Sequence, residues 1–109
     1  MHGTLDAATI ATTLPSLPGW QGDEHGLTRC YVFADFPSAM AFMAAFIPGI
    51  EALDHHPTWT NTYNRVEVTL TSHDVGNRVT WRDVRLAHHL EAVLRAEGAR
   101  WGPGGIEVP

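Results

Sequence analysis

Apolar residues recur along this chain in two rhythms, one of roughly 3.6 residues and one of two, and their alternation lays out the elements. Leu5, Ile10 and Leu14 sit at sparse helical spacing. They predict a short helix over Leu5 to Thr13, capped by Thr4 and stopped by Pro15 and Pro18. Leu17-Pro18-Gly19-Trp20 then leads into a first strand, and the polar run 22–26 reads as a hairpin turn. From Leu27 to Phe33 the period is two, with Leu27, Arg29, Tyr31 and Phe33 on one face and Thr28, Cys30 and Val32 on the other. Neither face is cleanly polar, which favours a covering partner on one of them. Asp35 caps the next helix, with Pro37 tolerated in its first turn. Its buried stripe is expected to be Phe36, Ala39, Met40, Met43, Ala44 and Ile47, and Pro48-Gly49 is expected to kink or break it before Glu51.

Trp59 to Tyr63 and Arg65 to Ser72 read as two strands around a tight turn near Asn64. Val66, Val68 and Leu70 alternate with polar neighbours in the second, and Trp59 and Tyr63 share a face of the first. The last helix begins with a capping box, Thr80 at N-cap and Asp83 at N3, with Val79 stapling to Val84. Leu86, Leu90, Val93 and Leu94 form its apolar face, Gly98 closes it, and Ala99 to Pro109 reads as a loose tail. The order α-β-β-α-β-β-α, joined by short hairpins, predicts an α+β fold. A four-stranded antiparallel sheet carries its helices on one face, as a single domain over 1–109.

Composition narrows the partners. An apolar content of 44% and a charged content of 17% describe a globular chain. A formal charge of −5 argues against nucleic-acid binding through a basic face. The single cysteine, Cys30, excludes an internal disulfide and a cysteine-rich zinc site. No leader-like layout is seen at the start, and no apolar run is expected to approach the ~18 residues that cross a bilayer. The expectation is a soluble, cytoplasmic protein without membrane contact.

Candidate chemistry concentrates between Glu51 and Asp83. His55 and His56 are adjacent, so their rings point apart in extended chain, and Pro57 stiffens the pair. Composition alone would make them two surface loop histidines. If the strands flanking Asn64 pair, the chain doubles back and returns His73 toward them, which is the grouping that acid/base catalysis needs. Three histidines can also hold zinc, but the His-Glu-x-x-His helical spacing is lacking. Glu51 and Asp54 precede His55 on the same turn and either orient a histidine or serve only solubility. Asp83 is assigned to the capping box, and Trp59 and Tyr63 to the core with ring contact as the lesser reading. His2, His25, His88 and His89 show no partner and are assigned to solvent or an interface.

The order of these residues is distinctive. Glu51-x3-His55-His56-Pro57-x-Trp59-x-Asn61-x-Tyr63, then Val66-x-Val68-x-Leu70, His73 and Val79-Thr80-x-x-Asp83, resembles the pterin-4a-carbinolamine dehydratase family. The likeness extends from Leu17-Pro18-Gly19-Trp20 through Tyr31-x-Phe33-x-Asp35-Phe36 to Leu86-Ala87. The resemblance implies a similar sandwich that forms homodimers or homotetramers. It also implies dehydration of 4a-hydroxy-tetrahydropterin, the product left by aromatic amino-acid hydroxylases, to quinonoid dihydropterin. His55, His56 and His73 would be the catalytic histidines with Glu51 in the same site. Pro57, Ser72, Asp74 and Val75 would line the pterin pocket, with Trp59 as a ring contact; no metal or other cofactor is implied. His55 or His56 is the expected acid and His73 the expected base. Two departures from the family pattern bear on pterin fit: Pro48-Gly49, and Ser72 in place of threonine ahead of a somewhat long 74–78 segment. The competing readings are a non-enzymatic dimerisation or assembly factor of this fold, or a dehydratase-like protein acting on another pterin, such as one in molybdenum-cofactor metabolism.

Overall fold

In the computed structural model, which describes residues 3–96, two hairpins build one sheet. β1 (Gln21–Asp23) and β2 (Gly26–Val32) form the first hairpin, and β3 (Thr58–Thr62) and β4 (Arg65–Leu70) the second. β2 pairs with β4, giving the antiparallel order β1-β2-β4-β3. Leu27, Tyr31, Val66, Val68 and Leu70 are buried on one face, while Thr28, Thr58, Thr60, Thr62 and Glu67 stand exposed on the other. α2 (Phe36–Leu53) and α3 (Trp81–Ala96) cover the apolar face. The expected α+β sandwich is therefore present. Gly98, the tail from Ala99 and His2 lie outside the described residues.

Arg29 shares the buried face of β2 because α3 supplies a countercharge. Glu91 accepts from Arg29 Nη1 at 3.0 Å, Tyr31 Oη at 2.6 Å and Trp20 Nε1 at 3.1 Å. A second bond, Arg29 Nη1 to Pro18 O at 2.6 Å, ties in the entry loop. Burial, reinforced by the Glu91 carboxylate, holds the Tyr31 phenol far above its usual range, so it stays a donor. Buried polar groups are tolerated when satisfied in this way.

Several expectations are corrected. Thr4 does not cap α1; it bridges to Thr80, while Leu5 N donates to Val79 O, and α1 (Ala7–Thr13) starts two residues later on Asp6, which accepts from Thr9 N at 2.8 Å. Tyr63 lies not on β3 but in the turn, at φ 50° and 64% exposed. Asn64 is held elsewhere, donating its amide to Phe33 O at 2.9 Å and accepting Phe33 N–H at 2.8 Å, so the left-handed position falls on the tyrosine.

The third correction is the phase of α2. Its buried face is Ala39, Phe42, Phe46, Gly49 and Ile50, whereas Phe36, Met40 and Ile47 are about half exposed. Positions 36–50 contain no charged residue, so no polar side marks the helix orientation. The aromatic pair decides it: Phe42 packs 4.9 Å from Tyr31 and 5.2 Å from Phe33, and Phe46 6.1 Å from Trp59. α2 also runs unbroken through Pro48, whose side is exposed. Packing of the buried face outweighs the bond that a proline gives up. Gly49 instead makes room, since a Cβ there would lie 1.9 Å from His89 Nε2. His89, assigned to solvent or an interface, stacks 5.7 Å from Phe46 between the two helices. At 18 residues and mean hydropathy 1.4, α2 reaches the length that the sequence was expected to lack, and a third of it is buried within the fold.

Candidate active site

α2 ends where the site begins. Asp54 adopts the left-handed conformation (φ 48°, ψ 45°), its N–H returning to Glu51 O and that of His55 to Ile50 O at 3.4 Å. This Schellman-type ending turns the chain sharply, and aspartate tolerates the conformation better than most residues. The two histidines leave it in different directions. His56 is exposed and folds back on the last turn, its Nε2 2.9 Å from Glu51 Oε2. His55 is only 8% exposed, and its Nε2 lies 2.5 Å from Asp83 Oδ1.

Antiparallel pairing of β3 with β4 brings the third histidine to the same end. Thr58 is opposite Thr69, so the residues before β3 run alongside those after β4. His55, His56 and His73 thereby line one cavity of about 340 Å³ with Asp54, Asp74 and Arg82. A larger concavity of about 610 Å³ on the open sheet face is lined by Trp20, Arg29, Cys30, Arg65 and Glu67 among others, and no histidine lines it. The smaller cavity is the candidate site, because it gathers the three histidines. Among the described residues, no group of three or more His, Cys, Asp or Glu is arranged to hold a metal ion.

Asp83 is wholly buried and takes three donors. Its Oδ2 accepts Thr80 N–H and Ser72 O–H, each at 2.9 Å, while Oδ1 faces His55. The expected capping box is thus real, with Thr80 Oγ1 accepting from Arg82 N at 3.2 Å. The same carboxylate also seats a cavity histidine. A carboxylate facing a ring nitrogen accepts, so Nε2 of both His55 and His56 carries hydrogen, and Nδ1 is the lone-pair nitrogen of either ring when neutral.

His73 opens a 3-10 turn, His73–Val75, with Nδ1 2.6 Å from Asn77 Oδ1. Arg82 Nη2 donates to Asp74 Oδ1 at 2.6 Å, fastening this turn to the start of α3. The other expected residues stand further back. Ser72 is fully buried behind Asp83, Pro57 and Val75 are half-buried beside the cavity residues, and Trp59 packs on Phe46. Glu51 reaches the site through His56. Arg82, Asn77 and the second role of Asp83 were not read from the sequence. Only Asp83 carried a signal, as an acidic N3 residue on a helix whose other face had to be buried.

Comparison with known proteins identifies the family of the chain. A 43% identical relative from Opitutus terrae, named "Putative pterin-4-alpha-carbinolamine dehydratase", aligns over 85% of this chain and 96% of its own. One of the same name from Nitrobacter winogradskyi is 45% identical over 80% of this chain and 87% of its own. The crystal structure of a transcriptional coactivator/pterin dehydratase from Brucella melitensis superposes with a TM-score of 0.78 at 40% identity, covering 84% of this chain and 98% of that one. A pterin dehydratase-like RuBisCO assembly factor of the alpha-carboxysome, at TM-score 0.54 and 21% identity over 68% of this chain and 84% of its own, shares the fold. Residues 3–93 match the family model for pterin 4 alpha carbinolamine dehydratase, and the chain belongs to that family.

Proposed function

We propose that this protein dehydrates a 4a-hydroxy-tetrahydropterin to the quinonoid dihydropterin by histidine acid/base catalysis. The observation that carries the reading is the convergence of His55, His56 and His73 on one cavity, two of them seated on carboxylates. The C4a–O bond breaks as an acid delivers a proton to the departing oxygen, which leaves as water. A base takes the proton from the adjacent ring nitrogen, and the electron pair released there forms the new C=N bond. Proton gain and loss balance, so the step requires no metal, nucleotide or covalent intermediate. His55 or His56 serves as acid and His73 as base, and positioned groups of this kind contribute roughly 10²–10⁴-fold. Glu51 holds His56, and Asp83 holds His55.

In this reading the substrate comes from a hydroxylation that leaves a 4a-hydroxypterin, as aromatic amino-acid hydroxylases do, and the dehydratase returns the pterin for reuse. The protein works as a soluble homodimer or homotetramer in the cytoplasm. The exposed Phe36, Met40 and Ile47 of α2 support self-association, and sedimentation at micromolar concentration tests it.

The deciding experiment follows the decay of enzymatically generated 4a-hydroxy-tetrahydropterin by absorbance. Wild type should accelerate it, and His73→Ala should lose roughly 10²-fold or more of that acceleration while remaining folded. A folded wild type that leaves the decay unchanged would remove the enzyme reading and favour a binding role for the fold.

A further inference from the structure

We propose that Asn77 is a positioning residue that fixes which ring nitrogen of His73 is free to act as base. The inference rests on the dehydratase reading for its catalytic meaning, but the positioning itself is a property of the free protein. His73 and Asn77 are both exposed, so their 2.6 Å contact has to persist against competing water. The backbone supplies that persistence. Ser72 O accepts from Val75 N at 3.3 Å, Asn77 N at 3.1 Å and Arg78 N at 3.4 Å, and Arg78 O receives Ser72 N at 3.0 Å. The segment is therefore wound around one carbonyl. Beyond it, Arg78 Nη2 is anchored to Glu24 Oε2 at 2.7 Å.

The conformation of Asn77 sharpens the point. Gly76 (φ 77°) and Asn77 (φ 60°) are both left-handed, a region where glycine carries no side-chain penalty. A second glycine would satisfy the backbone, and asparagine is among the side chains that tolerate the region. What asparagine adds is an amide oxygen directed at His73 Nδ1. An amide oxygen only accepts, so the bond requires hydrogen on Nδ1 and leaves Nε2 with its lone pair. This is opposite to His55 and His56, whose Nε2 atoms carry hydrogen against carboxylates. The cavity therefore holds two imidazoles engaged through Nε2 and one through Nδ1. His73 is the one whose distal nitrogen is free to receive a proton.

The test combines ring NMR on histidine-labelled free protein with steady-state kinetics, His73 being assigned by loss of its signals in His73→Ala. In its neutral form, wild-type His73 should show the Nδ1–H tautomer. Asn77→Gly keeps the left-handed backbone, so folding is preserved, but it should shift His73 toward the Nε2–H form. It should also lower kcat roughly three- to tenfold, the worth of one neutral hydrogen bond, with KM little changed. Asn77→Asp keeps an acceptor and should restore the tautomer. Its negative charge favours protonated His73, so the low-pH limb of kcat/KM should move to higher pH. Asp54, His55, His56, Asp74 and Arg82 surround His73 in the cavity and are common to all the variants, so this shift reads the change at 77.

An Nε2–H tautomer in wild type would overturn the proposal whatever the activity. So would Asn77→Gly with tautomer and kcat both unchanged. An Asn77-dependent Nδ1–H tautomer in a protein without dehydratase activity would uphold the positioning and remove the dehydratase reading.

Discussion

Substituting alanine for Gly49 sets two quantities against each other. Inside an exposed helix, Gly→Ala gains about 1 kcal/mol from backbone entropy. Here the new Cβ would lie 1.9 Å from His89 Nε2 and 2.1 Å from its Cδ2. The half-buried ring, stacked 5.7 Å from Phe46 between α2 and α3, would have to give way. Overpacking of this kind costs ~1–3 kcal/mol, so Gly49→Ala should be neutral to destabilising by up to about 2 kcal/mol. In a His89→Ala background the obstruction is gone, and the same substitution should stabilise by up to about 1 kcal/mol. Urea denaturation of the four proteins gives the coupling energy directly, and it should equal the overpacking cost, ~1–3 kcal/mol. A coupling within about 0.5 kcal/mol of zero would refute both the helix–helix approach and the continuity of α2 through Pro48. Function should follow: Gly49 lies two residues before Glu51, so a displaced α2 loosens the seat of His56 and lowers kcat in the single variant alone.

Two other substitutions probe the site and the helix start. Asp83→Asn keeps an oxygen for Thr80 N–H and Ser72 O–H but turns an amide N–H₂ toward His55, which must change tautomer to accept it. Stability should fall by about 1–3 kcal/mol and kcat by up to ~10²-fold at a temperature where the variant is fully folded; unchanged kcat in the folded variant would contradict the seating role. Hydrogen bonds from Ser38, side chain first and then its backbone N–H, hold the Asp35 carboxyl below its ordinary value. A depressed carboxyl stabilises above its unfolded pKa and loses that contribution as pH falls through its folded value. Asparagine caps as well without titrating. The stability difference between wild type and Asp35→Asn should therefore be flat above about pH 5 and shift in the variant's favour on acidification. A constant difference down to pH 3 would contradict the cap.

Strand alternation and capping chemistry are local, and they were legible. The period of two assigned both faces of β2, including the buried Arg29, and the box at Thr80 and Asp83 marked the start of α3. Doubling back around Asn64 was enough to bring His73 to His55 and His56. What stayed hidden depends on contacts between distant segments. A helix with no charged residue before Glu51 offers little phase, so α2 was turned the wrong way until Phe42 and Phe46 met β2 and β3. Pro48-Gly49 reads as a break, yet one residue is tolerated on the outer side and the other makes room for His89. Glu91, on the inward face of α3, was the missing partner of Arg29, and an ionic residue on each of two apolar faces was the available clue.

Asp83 serves α3 and the cavity with the same carboxylate, and this has an evolutionary side. If the proposed function holds, a change there would lower the amount of folded protein in a cell and the rate of each molecule together, so a growth-based mutational survey would score one large defect. Glu51, exposed at the end of α2, has no such double duty, and its loss should spare abundance. Selection can adjust the outer pair, His56 and Glu51, through small, separable steps, the inner pair being His55 and Asp83. The inner pair can change only with its helix, so it is the part of the site that drift should alter last.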